Sequence, residues 1–175
     1  MFRFWEAIEG TKQEFHALGT EMNQFYCSTA VYSKDEAPKP ESTGHKVFDY
    51  EVSSYPGKRL PHVWLSTLIP SPKVSTQDLA GKGKFVLFTG PSGTAWKEAV
   101  KRIAEKTKIP LEAISIGFGC DYMDSYGDWR TRCQVTESGA VLVRPDRVVG
   151  WRSEGMIPNP EEKLLEVMNA ILSRL

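Results

Sequence analysis

The chain has 175 residues, and 22 Lys+Arg balance 22 Asp+Glu to give a formal net charge of zero. Hydrophobic residues are 41% and charged residues 25%, the ordinary balance of a globular domain that buries a core without disulfide or metal staples. This composition excludes wholesale disorder. With no basic excess to neutralise phosphates, nucleic acid is not an expected partner, and no apolar run approaches the roughly 20 residues of a membrane span.

The first residues do not read as a signal peptide, because Arg3, Glu6 and Glu9 interrupt the apolar ones. Cys27, Cys120 and Cys133 are widely spaced and form no CxxC, so free thiols in a cytoplasmic protein are expected, with no metal site.

Phe4, Ile8, Phe15 and Leu18 follow a helical period, and Gly19 stands where a left-handed cap would end the helix, predicting a helix over 3–18. Phe25 to Tyr32, rich in aromatic and β-branched residues, predicts a strand. Residues 33–46 are polar with two prolines and a glycine, a linker or exposed loop. Residues 47–55 are expected to be extended, and Tyr55-Pro56-Gly57 signals a turn.

Phe85–Thr89 is a short buried-type strand that ends in Gly90-Pro91-Ser92-Gly93. A helix follows. Trp96, Ala99, Val100, Ile103 and Ala104 form its apolar face, Glu98 and Arg102 are an i,i+4 pair, and Pro110 blocks any continuation. Leu111–Ile116 reads as a strand, and 117–138 as mostly loop. Ala140–Val143 and Val148–Trp151 flank Arg144-Pro145-Asp146-Arg147, a β-hairpin with proline at the second turn position. The last helix has Asn159 as N-cap, Pro160 at its first position and Glu162 at capping-box spacing. Its expected buried stripe is Leu164, Leu165, Met168, Ile171, Leu172 and Leu175.

From Phe85 onward the order is strand, helix, strand, irregular segment, strand, strand, helix. A right-handed crossover makes the first two strands parallel, and the hairpin adds antiparallel ones. The pattern predicts an α/β, thioredoxin-like sandwich with an N-terminal helix-strand extension. Dithiol exchange is excluded at the usual place, because the turn at 90–93 contains no cysteine. The expected division is 1–46, holding helix, strand and polar linker, and 47–175, holding the sandwich.

Three stretches carry a family resemblance: Pro56-Gly57-Lys58-Arg59-Leu60-Pro61-His62-Val63-Trp64-Leu65, Ser75-Thr76-Gln77-Asp78-Leu79 leading into FVLF, and Gly139–Asp146 with Trp151-Arg152. In this order they resemble the C-terminal region of FAD-dependent aromatic hydroxylases of the phenol hydroxylase and chlorophenol monooxygenase type. The segments Glu14–Gly19 and Tyr26–Val31 resemble what precedes that region. The resemblance implies a non-redox thioredoxin-like module, often used in subunit association, and only the last third of such a hydroxylase. Arg147 stands where the family often has glycine or a small polar residue, and Gly150 where it often has alanine. Gly81-x-Gly83 and Gly117-x-Gly119 lack the third glycine of a dinucleotide fingerprint, so no cofactor-binding residue is expected.

Single residues read as structural first. His62 is a candidate base or ligand contact, but one histidine without a partner specifies no chemistry. Arg59 and Asp78 suit an ion pair before FVLF, or an anion contact and a helix cap. Arg144, Asp146 and Arg152 suit pairs that fix the hairpin ends. Trp64, Trp96 and Trp151 are core or interface anchors. Asp121, Tyr122, Asp124, Tyr126, Asp128 and Arg130 form a polar, aromatic cluster, and its spacing is not that of a calcium loop. If the chain were an enzyme, His62, Asp124, Tyr126 and Arg130 would be its acid–base or oxyanion candidates, in a pocket between 1–50 and 117–138.

Two functions follow. The favoured one is an association module or accessory subunit. It would form a homodimer or bind a flavoprotein through an N-terminal patch of Phe2, Phe4, Trp5, Ile8, Phe15, Phe25 and Tyr26, since such a patch left bare exceeds what monomers usually expose. The alternative is a small cofactor-free isomerase, cyclase or dehydratase acting on an aromatic or polyketide-like ligand. A fragment of a complete monooxygenase would carry the same sequence.

Overall fold

A computed structural model describes residues 2–67 and 71–174. Leu175 and the side chain of Phe2 lie outside the described residues. In chain order the elements are α1 (Phe2–Phe15), α2 (Leu18–Met22), β1 (Trp64–Leu65), β2 (Val74–Ser75), α3 (Thr76–Leu79), β3 (Phe85–Thr89), α4 (Thr94–Thr107), β4 (Leu111–Ser115), α5 (Asp128–Cys133), β5 (Ala140–Val143), β6 (Val149–Ser153) and α6 (Pro160–Ile171). No helix is long and apolar enough to cross a membrane among the described residues.

The main sheet has the order β4-β3-β5-β6. β3 and β4 are parallel and joined by α4, and the pairs β3–β5 and β5–β6 are antiparallel. The sheet is buried on both faces, which explains why FVLFT is apolar throughout rather than alternating. Phe85 and Leu87 meet Trp96, Ile103, Leu142, Trp151, Leu164 and Met168 on the side of α4 and α6. Val86 and Phe88 meet Leu60, Val63, Trp129, Cys133, Val141 and Val143 on the other. Full burial of a side chain such as Leu87 or Phe88 stabilises by about 1.5–3 kcal/mol. Trp96 and Trp151 pack edge to face, their ring centroids 5.5 Å apart. The thioredoxin-like α/β sandwich is therefore the fold, with the parallel unit and the hairpin where the pattern placed them.

The hairpin turn closes through Arg147 N–H to Arg144 O at 2.9 Å. Arg147 has φ +66°, left-handed backbone that favours glycine, which accounts for the small residue that the resemblance implies there. The register slips by one residue between Leu142 and Val143, so Gly150 bulges. Its carbonyl accepts from Tyr32 N–H at 2.8 Å.

Several local expectations are corrected. The strand over 25–32 does not form: Phe25 makes an isolated bridge with Lys58, and 28–31 turn instead. The outer edge of β6 is already taken by 57–60, through Gly57 N–H to Val149 O and Leu60 N–H to Arg147 O, both within hydrogen-bond length at 2.8 and 2.9 Å. The helix over 3–18 ends at Phe15, and Gly19 lies inside α2 rather than capping it. A side chain at Gly19 would meet the carbonyl oxygens of Lys46, Val47 and Asp49, so close backbone approach explains this glycine. Residues 128–133 are helical although the stretch lacks a period. Asn159 precedes α6 without a side-chain cap, its amide reaching Glu162 at 3.3 Å instead. In the stripe of α6, Leu164, Met168 and Ile171 are buried, while Leu165 and Leu172 are half-buried.

Candidate functional site

At the end of β3 where a redox thioredoxin carries its thiols, Gly90-Pro91-Ser92-Gly93 folds into a closed turn. Gly93 N–H donates to Gly90 O and Ser92 N–H to Glu137 O, each at 3.1 Å. A side chain at Gly90 would collide with the Glu137 backbone, and one at Gly93 with Thr89. Two N–H groups of the turn are thus paired within the fold, and the backbone of Glu137 packs against Gly90. The turn carries no cysteine, so the thiol chemistry of a redox thioredoxin does not fit it.

The loop after β4 is tied down by Asp121. Its Oδ2 accepts from Lys97 Nζ at 2.7 Å, Ser115 N–H at 2.8 Å and Ser115 Oγ at 2.7 Å. Burial works against the carboxylate, but Lys97 and Ser115 outweigh it and hold the pKa below its ordinary value.

The four catalytic candidates do not converge. Asp124 and Arg130 line one cleft of about 270 Å3 with Ile116, Phe118 and Trp129. Both oxygens of Asp124 receive backbone N–H groups of α5, from Asp128 at 3.2 Å and Trp129 at 2.9 Å, so it serves as a cap. Tyr126 is exposed beneath Lys73, whose ammonium sits 4.3 Å from the ring centroid. His62 Nδ1 bonds Ser75 Oγ at 2.7 Å, its ring meets Trp64 edge-on, and its carbonyl accepts from Arg132 at 2.7 Å. A cleft of about 490 Å3 does run between residues 39–53 and Gln134, but none of the four candidates lines it.

The charged residues settle differently from their expected pairing. Arg59 is exposed and no ion pair joins it to Asp78 among the described residues. Asp78 instead completes a capping box with Ser75, accepting Ser75 N–H at 3.1 Å, while Ser75 Oγ accepts Gln77 N–H at 3.1 Å. Arg144 and Asp146 pair within the hairpin at 2.6 Å. Arg152 reaches Glu36, in the stretch expected to be a polar linker.

That stretch also carries a latch invisible in the sequence pattern. Tyr32 is buried, with its hydroxyl between Glu166 and Lys163. Asp35 accepts from Trp151 Nε1 and Lys163 Nζ, both at 3.0 Å. Burial opposes charge on Lys163, but Tyr32, Asp35 and Glu166 outweigh it and raise its pKa. The only local signal was a tyrosine followed at short range by two acids.

Several aromatic side chains are left exposed. Phe4, Trp5 and Phe15 are 70%, 60% and 79% exposed, and every described side chain of α1 faces solvent. Phe4, Ile8 and Phe15 fall on one stripe of that helix. Phe25 is 40% exposed, with Lys39 over its ring at 4.5 Å. Phe118, on the loop after β4, is 92% exposed, a position that periodicity could not single out.

Known proteins share this fold. Residues 53–174 match the family "aromatic-ring hydroxylase, C-terminal". Phenol 2-monooxygenase of Pseudomonas sp. (strain EST1001) is 42% identical over 93% of this chain and 26% of that protein. A 2,4-dichlorophenol 6-monooxygenase of Cupriavidus pinatubonensis (strain JMP 134 / LMG 1197) is 36% identical over 98% of this chain and 28% of its own length. Among solved structures, the flavin-dependent monooxygenase PieE, in complex with FAD and substrate, superposes with TM-score 0.86 at 35% identity, covering 97% of this chain and 29% of that one. Aklavinone-11 hydroxylase, with FAD and aklavinone, gives 0.75 at 29% identity, covering 90% and 28%. The chain thus spans well under a third of the relatives it matches, and by its motifs, its fold and these likenesses it belongs to the aromatic-ring hydroxylase C-terminal domain family.

Proposed function

We propose that this chain is the non-redox association module of a flavin-dependent aromatic hydroxylase. It docks onto a flavin-binding body, in one polypeptide or as a separate subunit, and that body performs the oxidation. Residues 47–175 supply the sandwich, and 1–46 the arm that reaches the body. The observation that carries the reading is α1, a helix whose described side chains, its apolar stripe included, are all exposed. A partner that covers Phe4, Ile8 and Phe15 removes from water a surface that a monomer rarely leaves bare. The relatives support the same reading, because this chain matches only 26% of the phenol 2-monooxygenase and 29% of PieE. FAD is assigned to the portion of such a hydroxylase outside this match, since the PieE and aklavinone-11 hydroxylase structures hold FAD and this chain covers 29% and 28% of them. The substrate class is aromatic: a phenol, as the phenol and dichlorophenol monooxygenases are named for, or a polyketide-derived ring, as a polyketide hydroxylase of Streptomyces coelicolor (strain ATCC BAA-471 / A3(2) / M145) is named for.

The test mixes the full chain with the Pseudomonas phenol 2-monooxygenase relative truncated before its matching C-terminal region. Size exclusion should show a flavin-containing complex, and Phe4→Ser/Trp5→Ser/Phe15→Ser should abolish it. Co-elution that persists in this variant, or no complex with the unaltered chain, overturns the reading.

A further inference from the structure

Lys58 is the one lysine buried among the described residues. Tyr55-Pro56-Gly57-Lys58 forms a β-turn closed by Lys58 N–H to Tyr55 O at 3.0 Å, and Gly57 at φ +96° supplies the positive φ that its third position requires. Val149 N–H donates to Lys58 O at 2.8 Å, which pins the residue to β6. The side chain runs to Glu51 and is only 8% exposed. At that depth its ammonium is poorly served. It donates to Glu51 O at 3.2 Å, and Glu51 Oε2 stands 3.7 Å away, outside hydrogen-bond length. Glu51 Oε1 accepts from Ser42 Oγ at 2.6 Å instead. The other donors of the lysine head find no acceptor among the described residues.

Lys58 lines the cleft of about 490 Å3 that none of the four catalytic candidates reaches, a volume that suits a small molecule. Val52, Ser53, Tyr55 and Gln134 line it as well. Burial pushes the Lys58 pKa below its ordinary value against the pull of Glu51, and the positive charge of Lys39 adds to burial. The other charges disfavour an anion as occupant. Glu41, Glu51 and Glu154 line the cleft against Lys39 and Lys58, and Arg152 is already paired with Glu36.

We propose that this cleft is a carbonyl-capture site, in which the Lys58 amine forms a reversible imine with a small neutral aldehyde. The nitrogen lone pair makes the new C–N bond, and the carbonyl C–O bond breaks on dehydration. Both amine protons leave with that oxygen as one water. No oxidation state changes, and addition of water reverses the step. A desolvated lysine suits this role, because the neutral amine is the nucleophile. Val52 and Tyr55 give the carbon frame of the aldehyde an apolar wall. The site is separate from α1 and does not depend on docking through that helix.

In the test, the full chain is treated with substoichiometric benzaldehyde and cyanoborohydride at neutral pH, and labelled lysines are mapped by peptide mass spectrometry. Lys58 should be labelled about tenfold faster than Lys101 and Lys106, which are exposed. In urea the three should label alike, since the preference belongs to the fold. Lys58→Met should remove the fast-labelled product with the far-UV spectrum unchanged. Should Lys58→Met fail to fold, the native and urea rates of the unaltered chain decide. Native labelling of Lys58 no faster than that of Lys101 and Lys106, or a preference that survives in urea, overturns the proposal.

Discussion

Arg152 holds Glu36 in a two-pronged pair, Nε to Oε1 at 2.7 Å and Nη2 to Oε2 at 2.9 Å. The two residues are 116 positions apart, and each side chain is 9% exposed. The guanidinium also reaches Ser54 Oγ and Gln134 Oε1, both at 3.3 Å, and lies over the Tyr55 ring at 5.6 Å. One arginine on β6 thus joins the arm, the 53–58 segment and the end of α5 into one body.

Removing one side of a buried pair leaves the other charge stranded, at a cost of about 3 kcal/mol or more. Glu36→Ala should lower stability by about that amount in urea unfolding. Glu9→Ala, in the exposed Lys12–Glu9 pair, should change it by less than about 0.5 kcal/mol. Equal effects would contradict the contrast in burial.

Asp121 makes the loop after β4 sensitive to acid. Its pKa in the fold is below the ordinary 3.8, so its contribution is complete above the unfolded value and is lost as pH falls through the lower folded value. The chemical shifts of Ser115 and Tyr122 amides should move together in that acid range. Asp121→Asn should remove the transition and leave stability at neutral pH reduced.

Thiol reactivity should divide by burial. Cys27 is exposed and Cys133 buried, with burial pushing the Cys133 thiol well above its usual pKa. An aromatic disulfide reagent should modify Cys27 rapidly in the native chain and Cys133 only after denaturation. Rapid native modification in a Cys27→Ser/Cys120→Ser variant would refute this.

Asp124 should behave as a cap. Asp124→Ala removes the acceptor for two N–H groups of α5 and should cost about 1 kcal/mol, while Asp124→Asn should retain most of the stability. Urea midpoints of the two variants test the ordering.

What could be read in the residues was what short-range physics controls. The β3–α4–β4 unit was legible because FVLFT is continuously apolar and Trp96, Ala99, Val100 and Ile103 repeat at helical spacing. Arg144-Pro145 marked the hairpin, and the bare turn at 90–93 ruled out thioredoxin chemistry. Asp78 as a cap was one of two readings, decided by the Ser75 hydroxyl beside it. The aromatic stretch 25–32 misled, because strand propensity needs a free edge to pair with. Segment 57–60 had already occupied that edge.

The sequence by itself therefore determined the sandwich, its non-redox character and its amphipathic N-terminal helix, all set by periodicity and by residue types within a few positions. Only the tertiary structure decided which charges met. Glu36 and Arg152, or Tyr32 and Glu166, are separated by more than a hundred residues, and no local pattern encodes a partner across such a distance. It also decided that Asp124 meets the first turn of α5, because which donors reach a carboxylate is set by how the chain folds around it.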